Sequence, residues 1–279
     1  MLMAGSAQKH SMAGSVHSMI FRNLVGKAEA QSPFSTEGFH MLFSLDFKIQ
    51  TLGNVLYLEY TIQMAKNAID RMGEQKIPHL VIHSGVDMYD PENREKCMQN
   101  ACDALAELAE YGAPKGVTIC IENMPRTGLG NTIEEMKRLV NSHPALRVCF
   151  DTNHLLRNRH VDFIRELGDK IVTLHVSDYD FHDERHVFPY EGDIKWIELV
   201  EALEKVNYNG VWMYECGLGE RKPIIRERPV TADDLKENHR CLMNKEVWPK
   251  FCRWDEEFCK EHTFIENPEE FHGPDYKRG

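Results

Sequence analysis

The stretch RVCFDTNH, residues 147–154, decides the fold. Read as a strand, it places Val148 and Phe150 on one face and Cys149 and Asp151 on the other. It then ends in polar residues. The same arrangement recurs on both sides of it. In HLVIHSG (79–85), Leu80 and Ile82 oppose Val81 and His83. In VTICIEN (117–123), Val117, Ile119 and Ile121 oppose Thr118, Cys120 and Glu122. In IVTLHVSD (171–178), Val172 and Leu174 oppose Thr173 and His175. In VWMYECG (211–217), Trp212 and Tyr214 oppose Met213 and Glu215. A sixth apolar run is FHMLFSLDF (39–47).

Amphipathic stretches lie between these runs: 57–73, 95–112, 132–142, 161–168 and 196–210. Their apolar residues fall at i, i+3 and i+4, which predicts helices. Gly73, Gly112, Gly168 and Gly210 stand where the helices should end. Thr132 with Glu135 fits a capping box at a helix start. Strands alternating with helices imply parallel strands joined by crossovers. The expected fold class is α/β, a TIM (β/α)8-type barrel, which typically takes about 250 residues. An open doubly wound sheet is the structural rival. No GxGxxG follows a strand and no GxxxxGK[ST] occurs, so nothing favours a nucleotide site.

Composition narrows the function classes. The chain has 279 residues, 42% hydrophobic and 28% charged, as expected of a globular protein. No stretch approaches the roughly 20 apolar residues of a membrane span. Lys+Arg 33 against Asp+Glu 44 gives a net charge of −11, a poor match for nucleic acid. Eight cysteines with no CxxC pair argue against a disulfide scaffold. Cys120 and Cys149 read as buried small hydrophobes. The N-terminus lacks a signal-peptide core, so the expected setting is reducing and cytoplasmic.

The chemistry lies at the strand ends. His83, Glu122, Asp151, His175 and Glu215 share one parity and stand at C-terminal ends, where parallel α/β folds carry their active sites. A single acidic residue there is ordinarily a loop residue or helix cap. Five converging polar ends are harder to dismiss. Carboxylates brought together would repel one another and lose solvation. A divalent cation removes both problems. Carboxylates and imidazole without thiolate suit Mn²⁺, Mg²⁺, Co²⁺ or Zn²⁺.

Six segments together resemble the sugar isomerase/epimerase superfamily with the xylose isomerase-like TIM barrel. They are HLVIHSG, IENMPR, CFDTNHLL, TLHVSDYD, ERHVFPYEGDIKW and WMYECG, in that order, over residues 79 to about 217. The resemblance implies one divalent metal held by Glu122, Asp151, His175 and Glu215. It implies substrate contacts from His154 and Arg185, with His83 and His186 as outer or substrate residues. Glu122 and Glu215 are the expected acid–base pair.

Two features depart from the family pattern. Its Pro-Gly-x-Gly loop reads Pro189-Tyr190-Glu191-Gly192 here. If 39–47 is the third strand, 38 residues stand where two β/α units need about 60. The front of the barrel is therefore expected to be shortened or incomplete. The expected divisions are a loose N-terminal segment (1–38), the barrel (39–217) and a C-terminal helical extension (218–279). In the extension, 228–244 reads as a helix capped at Thr231. Trp248, Phe251, Trp254 and Phe258 then read as a helical stripe docked on the barrel. A subunit contact in a homo-oligomer is the alternative.

The resemblance implies an isomerase or epimerase acting on a small sugar or hydroxy-carbonyl compound. AP endonuclease-like phosphodiester hydrolysis is the second reading. The charge, and Asp46 in SLDF where that chemistry expects a His, weigh against it. A degenerate, non-catalytic barrel is the third.

Overall fold

The computed structural model describes residues 55–85, 91–219 and 222–273. The 39–47 run and the segment before it lie outside these residues. Five strands form one parallel sheet in chain order: β1 (His79–His83), β2 (Thr118–Glu122), β3 (Arg147–Asp151), β4 (Ile171–Val176) and β5 (Val211–Tyr214). Helix α1 (Val55–Gln75) precedes β1. Helices α2 (Pro91–Gly112), α3 (Ile133–Val140), α4 (His160–Leu167) and α5 (Trp196–Lys205) connect successive strands. Consecutive helices pack side by side. This is the strand–helix alternation expected from the sequence.

The strand parity sets the layers. Leu80, Ile82, Ile119, Ile121, Val148, Phe150, Leu174 and Val176 are buried in one continuous core under the helices. Phe150 stacks on Phe163 of α4, ring centroids 4.8 Å apart. Each such apolar side chain contributes about 1.5–3 kcal/mol on burial. On the opposite face Val81, Cys120 and Cys149 form a small separate cluster. The ladder aligns the C-terminal ends: His83 lies opposite Glu122, Glu122 opposite Cys149, and Asp151 opposite His175.

Helix ends follow local chemistry more closely than glycine position. The Thr132 hydroxyl accepts the Glu135 N–H at the start of α3. The reciprocal half of the expected capping box is missing, because the Glu135 carboxylate takes the Arg94 guanidinium at 2.6 and 2.7 Å and the Gly130 N–H. Gly168 caps α4 and Gly112 is the last residue of α2. Helix α1 instead runs through Gly73, and Lys76 takes the left-handed conformation (φ 57°). After α5 that role falls to Asn207 (φ 55°), three residues before Gly210.

The C-terminal part contains β6 (Ile224–Arg226), α6 (Ala232–Asn244), β7 (Cys252–Trp254), α7 (Glu256–Glu261) and α8 (Glu269–His272). Strands β6 and β7 pair antiparallel. Helix α6 has the expected Thr231 cap and a complete capping box with Asp234. The 248–259 stretch is not one helix. Trp248 meets Phe188 edge-on, Phe251 lies 4.3 Å from the Arg228 guanidinium, and the Trp254 indole N–H donates to the Glu191 carbonyl. These aromatics belong to a partly extended strap over the β4–α5 loop. Among the described residues no helix is long and apolar enough to cross a membrane.

Candidate active site

Glu122 and Asp151 end β2 and β3, His175 is the last but one residue of β4, and Glu215 follows β5 directly. The structure brings the four together: one ligand atom from each lies within 4.8 Å of the others. His175 Nδ1 lies 2.6 Å from Glu215 Oε2, 3.2 Å from Glu122 Oε1 and 3.9 Å from Asp151 Oδ2. Glu122, Asp151 and His175 are buried, whereas the Glu215 side chain is 44% exposed. The cluster therefore opens to solvent on the β5 side.

Backbone braces hold these ends in place. The Asn123 side chain pairs with the Asp151 peptide, accepting its N–H at 2.8 Å and donating to its carbonyl at 2.9 Å. The Thr152 hydroxyl donates to the Ser177 carbonyl and accepts the Ser177 N–H. Asp151 Oδ1 takes the Asn153 N–H. Asp151 Oδ2 is buried without a hydrogen-bond partner, as is Nε2 of His175, while His175 Nδ1 pairs with Glu215. Such orphaned groups are costly unless a ligand completes them. Three carboxylates and one imidazole around those atoms make a donor set suited to a divalent cation.

Other expected site residues surround the cluster. His83 Nε2 lies 3.2 Å from Glu122 Oε2. His154 Nδ1 is 2.8 Å from the Asn123 carbonyl, and its Nε2 is 3.6 Å from Asp151 Oδ2. Burial would raise the Glu122 carboxyl, but His175 and His83 hold it well below the usual carboxylate range. Burial pushes Asp151 up to about 6, with His154 offsetting part of the shift and Glu122 adding to it. Burial would lower His154, yet Asp151 and Glu184 push it up to about 9.

Arg185 departs from the sequence expectation. Its guanidinium is buried, paired with Asp180 at 3.1 Å and bonded to the His262 carbonyl at 2.6 Å. In this structure it ties a loop to the C-terminal part. Glu184, missed from the sequence, lies instead among the site residues: its Oε2 is 3.4 Å from His154 Nε2 and 3.8 Å from His186 Nε2. His154, Glu184 and His186 form a second ligand-type group. Asn153 Oδ1 places the loop by accepting the N–H groups of both Arg185 and His186. Arg126, from IENMPR, fixes Glu184 through a 2.8 Å ion pair.

Comparison with known proteins decides the family. The profile of the xylose isomerase-like TIM barrel matches residues 53–237. The chain belongs to the xylose isomerase-like TIM barrel family. It is 29% identical over 189 residues to an uncharacterised protein of Methanocaldococcus jannaschii, covering 63% of this chain and 61% of that one. It is 26% identical over 211 residues to a D-psicose 3-epimerase of Ruminiclostridium cellulolyticum, covering 73% of this chain and 58% of that enzyme. The chain thus spans less than two thirds of the length of these relatives. A crystal structure of a D-tagatose 3-epimerase-like protein superposes with a TM-score of 0.58 at 23% identity, covering 70% of this chain and 72% of that one. D-Psicose 3-epimerase of Clostridium cellulolyticum with D-tagatose gives 0.53 at 20%, covering 59% of each chain. These two likenesses show the fold.

The barrel's loop after β4 explains the Pro-Tyr-Glu-Gly departure. Tyr190 stands where the pattern has Gly and takes φ 74°, the conformation glycine adopts readily. Its N–H is held by Asp178, which also accepts from the Tyr179 and Ile194 N–H groups and the Trp196 indole. Gly192 is retained for space: a Cβ there would meet Asp178 Oδ1 at 2.3 Å and the Tyr179 carbonyl oxygen at 2.4 Å.

Proposed function

We infer that the chain is a divalent-cation-dependent epimerase or isomerase of ketoses. The observation that carries this is the convergence of Glu122, Asp151, His175 and Glu215 around an orphaned buried Asp151 oxygen at the C-terminal strand ends. Relatives named D-psicose 3-epimerase support the substrate class. When bound, the cation supplies Lewis acidity that makes the C–H beside a ketose carbonyl more acidic.

The side chains do the rest. Glu122, held ionised by His175 and His83, takes the proton from carbon. Glu215 comes from a strand on the other side of His175 and returns a proton from the opposite face. That exchange inverts the carbon through an enediolate. Delivery to the neighbouring carbon would instead interconvert ketose and aldose. His154 donates to a substrate oxygen where negative charge develops. The buried floor of Val81, Cys120 and Cys149 keeps water from below the cluster. Glu122→Gln or Glu215→Gln should each lower turnover by about 10²–10⁴-fold. The decisive test is turnover of D-psicose, D-tagatose and D-fructose with Mn²⁺ in D₂O. One solvent deuterium at the inverted carbon is expected. Turnover without deuterium would refute proton transfer in favour of a hydride shift.

The His154–Glu184–His186 group favours one second reading, a two-cation phosphodiester hydrolase. The chain charge of −11 weighs against a nucleic-acid substrate. No cleavage of an abasic duplex is expected with Mg²⁺, Mn²⁺ or Zn²⁺. Salt-sensitive binding with strand cleavage would replace the ketose reading.

A further inference from the structure

Cys149 lies directly beneath the four-residue cluster. It precedes Asp151 by two positions on β3, so both side chains point to the same face. The sheet register sets it opposite Glu122 on one side and Thr173 on the other. Its Sγ, one Glu122 oxygen and one His175 nitrogen lie within 4.8 Å of one another. Below it are Cys120 and Val81. The layer is fully buried: Cys149 and Cys120 are 0% exposed.

A buried thiol alone is ordinarily a small hydrophobe. A second observation points to a ligand here. His175 is 2% exposed; its Nδ1 lies 2.6 Å from Glu215 Oε2, while its buried Nε2 has no hydrogen-bond partner. The imidazole takes part in both ligand-type groups, with the carboxylates and with the thiol. Two overlapping donor sets therefore share Glu122 and His175. The upper one adds Asp151 and Glu215, all hard oxygens. The lower one adds a sulfur.

Hard and soft cations weigh these sets differently. Mn²⁺ and Mg²⁺ favour carboxylate oxygen, whereas Zn²⁺ and Cd²⁺ gain from thiolate. The geometry points to Cys149 as a ligand that draws thiophilic cations into a deeper position, on Glu122, Cys149 and His175, while Mn²⁺ stays on the upper set. This rests on the active-site reading above. In the binding step a sulfur–metal bond forms, the S–H bond breaks, and the proton passes to solvent. A soft cation so held leaves Asp151 and Glu215 uncoordinated. Cys149 thus makes the site discriminate between metals.

The test uses the full chain stripped of metal and then titrated separately with Cd²⁺ and Mn²⁺. Cd²⁺ is followed by the ultraviolet thiolate-to-metal charge-transfer absorption, and both ions by calorimetry. Wild type is expected to show the band with one Cd²⁺. Cys149→Ser should lose it and bind Cd²⁺ at least about tenfold more weakly. Its Mn²⁺ affinity should stay within about threefold. Cys120→Ser, one layer further down, should keep the band. Cys149→Ala serves as the second variant if the serine chain does not fold. A band that persists in the folded Cys149 variant overturns the inference. So does an equal loss of Mn²⁺ and Cd²⁺ affinity. Wild type that binds no Mn²⁺ overturns the active-site reading itself, whatever the cadmium result.

Discussion

Replacing Arg226 with Met should strip the partner from a buried carboxylate. Arg226 on β6 meets Glu191 of the β4–α5 loop through two parallel contacts, Nε to Oε1 and Nη2 to Oε2, each 2.6 Å. The two side chains are 2% and 1% exposed. Arg226 Nη2 also donates to the Gly217 carbonyl, two residues past Glu215. After Arg226→Met the Glu191 side chain keeps the Phe188 N–H at 2.8 Å but loses its counter-charge. Breaking a buried pair on one side costs about 3–5 kcal/mol, because the remaining charge stays desolvated. In a domain of this size that lowers Tm by roughly 6–20 °C. Urea and thermal unfolding followed by circular dichroism would measure it. The double variant Arg226→Met/Glu191→Leu should recover most of the loss, since no charge is then left buried. A single variant within about 1 kcal/mol of wild type would refute the reasoning.

Two further outcomes follow from buried groups. His160 is buried with its Nε2 2.7 Å from the Thr152 carbonyl, and burial holds it down at about 4. The unfolded chain therefore binds the extra proton first as pH falls below the ordinary value of about 6.5. The His160 contribution is complete above that pH and is lost on acidification toward 4, by about 3 kcal/mol in total. Urea midpoints at pH 7 and pH 5 with chelator present should differ in wild type and less in His160→Gln. Gly192→Ala forces a Cβ into Asp178 and the Tyr179 carbonyl and should cost about 1–3 kcal/mol. An unchanged unfolding midpoint would show that the loop yields freely.

The strand frame was legible because parity is local. Each of the five runs over 79–217 became a parallel strand, and the polar ends His83, Glu122, Asp151, His175 and Glu215 came to one side. Loops have no such period. Glu184 therefore gave no signal, although its carboxylate sits between His154 and His186. Arg185 beside it looked like a substrate contact, but no pattern in the sequence announces that Asp180 captures it five residues back. The aromatic stripe from Trp248 to Phe258 misled because a spacing of three or four also arises in a short irregular strap. Its pairing with β6 depends on distant residues. The glycine signals failed where Lys76 and Asn207 tolerated a positive φ.

The central claim is that four strand-end side chains form one cation-dependent active site. The most direct measurement is calorimetric Mn²⁺ titration of wild type and Asp151→Asn, with ketose turnover assayed on the same samples. The orphaned Asp151 Oδ2 becomes an amide group or a neutral carbonyl in the variant, so a ligand charge is lost without loss of volume. The account predicts one Mn²⁺ per chain in wild type, affinity that falls as pH drops because protons compete for the ligands, and weak or no binding with loss of turnover in Asp151→Asn. Undiminished Mn²⁺ affinity and turnover in a folded Asp151→Asn chain would contradict it.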